Sequence, residues 1–89
     1  MTALVERFGI AVRQLRVRNG WTQDELAWRS GLDRSYVGEI ERGCVIASLV
    51  TVEKLAVALN LSASALVTRG ENITQINHAR GIRLAAIAC

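Results

Sequence analysis

The sequence contains no proline among its 89 residues, and its β-branched residues are scattered rather than gathered into alternating runs. Proline breaks helices and alternation is typical of half-buried strands, so both absences favour a helical protein. No apolar stretch reaches the roughly 20 residues that a membrane-spanning helix needs. The first 18 residues carry charges of both signs, unlike a secretory signal. We therefore expect one α-helical domain, located in the cytoplasm and without membrane contact.

Residues typical of catalytic and metal sites are scarce. Cys44 and Cys89 lack the spacing of metal ligands, and reduced thiols in a cytoplasm are the simpler interpretation. His78 is the only histidine, and no cysteine, serine or carboxylate pair around it has catalytic spacing. The sequence therefore predicts a protein that is not an enzyme and that holds no metal and no cofactor.

Lysine is nearly absent as well, because Lys54 is the only one among the 11 basic residues. The planar guanidinium of arginine suits contacts with phosphate and with guanine. The net charge of +3 is modest, however, and acidic and basic residues nearly balance over the first half of the chain. Net charge alone favours nucleic-acid binding only slightly.

The ends of the predicted helices are marked by residues that tolerate a left-handed backbone. Five such residues each follow an amphipathic or apolar segment: Gly20, Gly31, Gly43, Asn60 and Gly70. Helix starts are indicated by side chains that can cap a first turn, namely Thr22 in a capping box with Glu25, and Asp33, Ser48 and Ser62. Apolar residues recur at helical spacing between these marks. We expect helices over about 4–18, 23–29, 34–42, 49–59 and 63–68.

Residues 22–42 have the dimensions of a helix-turn-helix unit. Two turns of helix lead to Gly31, the chain reverses, and a second helix follows from Arg34. In such a unit the second helix inserts its N-terminal side chains into the major groove, while the first lies against the DNA backbone. The pattern predicts a DNA-binding domain over 1–70, followed by an extension over 71–89 that contacts a dimer mate or another partner.

The same stretch resembles a known family. The segments that carry the resemblance are Thr22–Ala27, Gly31–Leu32, Ser35–Val37 and Ile40–Gly43, within a match from about Phe8 to Leu66. They are similar to the Cro and lambda-repressor type of helix-turn-helix domain. The run Leu32–Val37 with Ile40–Arg42 is similar, more narrowly, to the controller proteins of restriction–modification systems, small dimers that both activate and repress their own operon. The resemblance implies an all-α, compact five-helix lambda-repressor-like fold and a homodimer that regulates transcription at a near-palindromic operator in double-stranded DNA.

The resemblance also implies roles for single side chains. Base-reading roles fall to Arg34, Ser35 and Glu39, and DNA-backbone contacts to Thr22, Gln23, Tyr36 and Arg42. Arginine can bond two acceptors of a guanine, whereas glutamate accepts only from a cytosine amino group. Alternatives stay open: Arg34 and Glu39 as solvated charges, Tyr36 as a packing residue, and Arg42 as a cation at a helix C-terminus. Arg16 and Glu41 are implied to pair as scaffold, without touching DNA.

The loop after the third predicted helix departs from the family pattern. It reads Cys44-Val45-Ile46-Ala47, where the family usually carries basic or polar residues and a proline. An exposed apolar loop packs against a partner or the C-terminal tail, so phosphate contacts are not expected there. Expected dimer contacts are the apolar residues that follow the third helix: Val45, Ile46, Leu49, Val50, Leu66 and Val67. Trp28, on the second helix, is expected to be half-buried.

Two alternatives on the same fold remain open. One is a phage-type repressor, and the other is an antitoxin or antirepressor that works as a protein-interaction module. A repurposed module would tend to lose Gln23, Arg34 and Ser35, which are all present, although the apolar tail fits such a module better. No sensor domain follows the motif, so we expect no small-molecule effector.

Overall fold

The computed structural model describes residues 3–74, and in that range it contains five α-helices and no strand. The helices are α1 (Ala3–Arg18), α2 (Gln23–Ser30), α3 (Arg34–Glu41), α4 (Leu49–Ala58) and α5 (Ala63–Glu71). This confirms the all-α prediction, with α1 to α4 ending within one residue of the expected positions. Helix α5 continues three residues further than expected. Residues 75–89, most of the predicted extension, lie outside the described residues.

Capping side chains start helices α2 to α5, as predicted. The caps are Thr22, Asp33, Ser48 and Ser62, which accept from the backbone N–H of Glu25, Ser35, Thr51 and Ala65, respectively. The reciprocal half of the predicted capping box is not formed, and the Glu25 carboxylate accepts from Nε of Arg29 at 2.7 Å. The predicted left-handed positions are confirmed at Gly20, Gly31, Gly43 and Asn60, whose φ angles lie between 61° and 74°.

The fifth predicted helix end, Gly70, is wrong. Gly70 lies inside α5, where a Cβ atom would come within 3.0 Å of the Cα atom of Phe8 in α1. Helices α1 and α5 therefore approach so closely at this point that only a residue without a side chain fits. The sequence pattern alone does not distinguish a glycine that ends a helix from a glycine that lets two helices approach, because the approach depends on tertiary packing.

Replacing Gly70 with alanine is therefore expected to lower the free energy of unfolding by about 1–3 kcal/mol, because the added methyl group meets backbone that cannot move aside alone. Gly38→Ala is the matched control within α3. A Cβ atom there meets Nη1 of Arg42 at 3.1 Å, the end of a flexible side chain, and alanine is the better helix former. Urea unfolding measures both variants, and a Gly70→Ala midpoint at or above that of the wild type would contradict the close approach.

The hydrophobic core lies where the five helices converge. Its largest fully buried side chains are Leu26, Ile40, Leu55, Leu66, Val12 and Val37. The expectation that Leu66 contacts a dimer mate is therefore wrong, because this side chain is already enclosed within its own subunit. The expectation for Trp28 is also wrong: it is 80% exposed, because Leu26, Ala27 and Ser30 form the buried face of α2. Burial of residues from both α2 and α3 in one core fixes the two helices relative to each other.

Cys44 departs from the expectation of a reduced thiol. It lies half-buried in the loop after α3 and is not a free cysteine. Cys89 lies outside the described residues. The expectation rests on the reducing conditions of a cytoplasm, which are a property of the compartment and not of the residues around one thiol.

Within residues 3–74, no single helix is long and apolar enough to cross a membrane. Helices α4 and α5 pass the same test of length and composition only when taken together, and they are bent by 96° where they join.

Candidate nucleic-acid interface

The turn between α2 and α3 is closed by backbone geometry that the sequence specifies locally. Gly31 adopts φ 69°, and its N–H group donates to the carbonyl groups of Ala27 and Trp28. The N–H group of Leu32 donates to the carbonyl of Ala27 at 2.9 Å. Asp33 then caps α3 through the N–H of Ser35 at 3.2 Å. The turn thus satisfies carbonyl groups in the last turn of α2 and one N–H group in the first turn of α3, and it presents the N-terminal end of α3 at the surface.

A buried ion pair lies beneath this unit and joins α1 to α3. Nε and Nη2 of Arg16 donate to the two carboxylate oxygens of Glu41 at 2.7 and 3.0 Å, and Nη1 donates to the carbonyl of Trp21 at 2.8 Å. The Glu41 side chain is 2% exposed and that of Arg16 is 13% exposed. The pair implied by the family resemblance is therefore present. Its bidentate geometry orients both side chains and fixes the entrance to α2.

Gln23, the first residue of α2, is attached to the same carboxylate. Its Nε2 atom donates to Oε1 of Glu41 at 3.1 Å, so a buried acid in α3 sets the position of this half-buried amide. Gly38 lies next to this amide, and a Cβ atom there would meet Oε1 of Gln23 at 3.5 Å, an ordinary van der Waals distance. The sequence predicts a phosphate contact for Gln23 and carries no signal of this bond, because its two members are 18 residues apart on different helices.

Arg34, the first residue of α3, has a partner that the sequence did not indicate. Its Nε atom lies 3.0 Å from Oδ1 of Asp24 in α2. The two side chains are 64% and 74% exposed, so the pair lies on the outer surface of the helix-turn-helix unit. The first turns of the two helices therefore meet at a cation and an anion, and the anion follows Gln23 directly in the sequence.

The other predicted contact residues divide into exposed and packed ones. Thr22, Ser35 and Arg42 are exposed, and Glu39 is half-buried. The Thr22 hydroxyl accepts from the backbone but keeps its own hydrogen for another acceptor. Tyr36 is half-buried, and its hydroxyl lies 3.3 Å from Oγ1 of Thr51 in α4. This contact agrees with the alternative in which Tyr36 is a packing residue.

The model of a helix-turn-helix domain family matches residues 7–67, which include this whole arrangement. The chain belongs to this helix-turn-helix family.

Several relatives of this helix-turn-helix chain are regulators of transcription. A hypothetical transcription factor of Neisseria meningitidis is 45% identical over 56 residues, 63% of this chain and 53% of that protein, so the chain spans about half the length of this relative. Control protein C.SmaI of Serratia marcescens is 45% identical over 58 residues, 65% of this chain and 69% of that protein. The crystal structure of the restriction–modification controller protein C.AhdI of Aeromonas hydrophila superimposes with a TM-score of 0.70 at 48% identity, covering 73% of this chain and 98% of that one.

A second surface of the helix-turn-helix domain is apolar. Ile46, Leu49 and Val50 are exposed, and Val45 and Val67 are half-buried, so five of the six expected interface residues reach the surface. Beside them lies an apolar cavity of about 190 Å³. Its lining includes Leu4, Val5, Phe8, Ile40, Val45, Ile46, Ala47, Val52 and Val67. Clustered apolar side chains of this kind at a surface are typical of contact sites.

Proposed function

We propose that the chain is a sequence-specific DNA-binding regulator of transcription, not an enzyme, that acts in the cytoplasm as a homodimer on a near-palindromic operator. The observation that carries the proposal is the N-terminal end of α3, where Arg34 and Ser35 are exposed and Arg34 pairs with Asp24 in the first turn of α2. The buried pair of Arg16 and Glu41 attaches the C-terminal end of α3 to α1, and Glu41 also holds Gln23 at the start of α2. A rigid, polar helix end of this kind matches the part of a helix-turn-helix unit that enters the major groove.

The residues of this end divide between sequence recognition and backbone contact. The guanidinium of Arg34 donates to O6 and N7 of a guanine. The Ser35 hydroxyl can donate to a base or accept from one, and the Glu39 carboxylate accepts from a cytosine amino group. Gln23 and Thr22 lie at the start of α2, where a phosphate meets the free N–H groups of the helix. Tyr36 and Arg42 contribute at the edge of the contact, Tyr36 through its ring and Arg42 through its charge.

The dimer follows from the small size of the recognition element. Helix α3 has eight residues and reaches too few base pairs for useful specificity by itself. Two copies related by a twofold axis read two half-sites about 34–36 Å apart. Ile46, Leu49 and Val50 form the exposed apolar surface that a second copy covers, with Val45 and Val67 at its edge.

Its relatives support a controller role. The names of C.SmaI and C.AhdI describe a control protein and a restriction–modification controller protein. By analogy we place this chain in an operon that it regulates itself, as both activator and repressor, without a small-molecule effector. We assign DNA binding to residues 1–70, and we assign residues 71–89 a supporting role in contacts between subunits.

Selection of duplexes from a random 30-base-pair library by the wild-type protein tests the proposed function. We expect enrichment of one near-palindromic sequence with guanine in each half-site. Enrichment of a single unrepeated half-site would contradict the homodimer. No enrichment at all would contradict sequence-specific binding and would favour an interaction module on the same fold.

If the apolar surface forms the dimer contact, a charge at Val50 should prevent dimerisation. Val50→Glu is expected to give monomers in sedimentation velocity at micromolar concentration, because a carboxylate would be buried in the apolar contact. Val17→Glu is the matched control on α1, since Val17 is 57% exposed and Val50 is 60% exposed. The control is expected to sediment as the wild-type dimer. A wild-type protein that is monomeric at high micromolar concentration would contradict the homodimer itself.

A further inference from the structure

The ion pair between Asp24 and Arg34 joins the first turns of α2 and α3 on the DNA-facing side of the unit. The neighbouring acid, Glu25, forms an ion pair with a different arginine: its carboxylate lies 2.7 Å from Nε of Arg29 within α2. The Arg29 guanidinium also lies 4.3 Å from the centre of the Trp21 ring. Two adjacent acids therefore face two different arginines, and only Asp24 contacts the residue to which we assign base recognition.

The contact is made at one edge of the guanidinium group. Nε of Arg34 lies 3.0 Å from Oδ1 of Asp24. A guanidinium has five N–H groups in one plane, and four of them are on the two terminal nitrogens. An ion pair at Nε thus keeps the guanidinium group next to Asp24 and leaves both terminal nitrogens for two acceptors on one base edge.

The charge of Asp24 also weakens binding to DNA that offers no guanine to Arg34. Its side chain is 74% exposed and lies next in sequence to Gln23, the residue assigned to a phosphate. A carboxylate at this position repels every phosphate backbone equally, whatever the sequence. A duplex compensates for this repulsion only if it offers the acceptors that the oriented Arg34 bonds.

We propose that Asp24 is a positioning residue for Arg34 that determines specificity: it orients the guanidinium for a guanine and weakens binding to all other DNA. The proposal rests on the proposed function, in which Arg34 contacts a base. It assigns to α2, besides its phosphate contacts, a share in the recognition of sequence.

Asp24→Asn tests the proposal, with Glu25→Gln as the matched control, because each removes one negative charge from adjacent positions of α2. Affinities are measured for a duplex selected by the wild type and for its scrambled version at one salt concentration. For Asp24→Asn we expect tighter binding to the scrambled duplex and no gain on the selected one. The ratio of the two affinities then falls about two- to fivefold, the range of an exposed ion pair. For Glu25→Gln both affinities rise by a similar factor, and the ratio stays constant.

A double-substitution cycle shows whether Asp24 acts through Arg34. In an Arg34→Ala background, Asp24→Asn is expected to change both affinities by the same factor. An unchanged ratio for Asp24→Asn in the wild-type background, with a reduced ratio for Arg34→Ala, would overturn the positioning role and leave the proposed function intact. Failure of the wild type to select any duplex would overturn both. Asp24 and Arg34 are exposed and Glu25 is half-buried, and unchanged unfolding midpoints verify that each variant folds.

Discussion

Arg34→Ala is expected to weaken binding to a selected duplex by about 1–3 kcal/mol and to change binding to scrambled DNA little, so that the ratio between them collapses. The reason is that a base-edge contact rewards one sequence only, whereas the Arg34 charge contributes modestly to any duplex. Competition binding with both duplexes at one salt concentration measures the effect. Arg34 is exposed and forms its ion pair at the surface, so the melting temperature is expected to stay near that of the wild type.

Gln23→Ala is the contrasting variant. Its amide lies at the N-terminus of α2, where the expected partner is a phosphate common to every sequence. We expect this variant to weaken binding to both duplexes by a similar factor and to preserve their ratio. Wild-type affinity of Arg34→Ala for the selected duplex would show that the N-terminal end of α3 does not recognise bases.

Glu41→Ala is expected to lower the free energy of unfolding by about 3–5 kcal/mol, because it leaves the Arg16 guanidinium buried without its bidentate partner. Gln23 would lose its acceptor as well. For a domain of this size each kcal/mol corresponds to about 4–8 °C in melting temperature, so the decrease should exceed 10 °C. Thermal unfolding followed by circular dichroism measures it.

Two controls show whether the loss of stability in Glu41→Ala comes from breaking the buried ion pair or from removing a negative charge. Glu25→Gln removes the acid of an exposed pair and is expected to cost less than about 1 kcal/mol. Combining Arg16→Met with Glu41→Leu replaces the pair by apolar side chains, and it is expected to regain much of the stability lost in Glu41→Ala. Equal melting temperatures for Glu41→Ala and Glu25→Gln would contradict a stabilising role for the buried pair.

The sequence was sufficient to predict features that depend on a few neighbouring residues. Caps such as Ser48 and Ser62 and left-handed positions such as Gly31 act within one turn of backbone, so their chemistry is visible in the sequence. Gly70 and Leu66 were misjudged for the opposite reason. Their environments are made by α1 and by the core, and a local pattern contains no information on which helix will approach.

At the candidate site, one of the contacts between helices was predicted and two were not. The pair of Arg16 and Glu41 came from the family resemblance, because its members are 25 residues apart and no spacing rule joins them. The bond between Gln23 and Glu41 and the pair of Asp24 and Arg34 were both missed. Each joins two helices across the turn, and the relative orientation of those helices is set by packing rather than by periodicity.

The hydroxyl groups of Tyr36, Thr51 and Ser48 connect the recognition helix to the start of α4, next to Leu49 and Val50. The apolar surface assigned to the second subunit is thereby joined to α3 through two consecutive hydroxyl contacts of 3.3 and 3.1 Å. In a dimer built on that surface, the distance between the two recognition helices is a fixed length rather than an adjustable one. One base pair inserted between half-sites rotates the second half-site by about 34° about the DNA axis. The protein would then discriminate between DNA sites by their geometry even where every contacted base is correct.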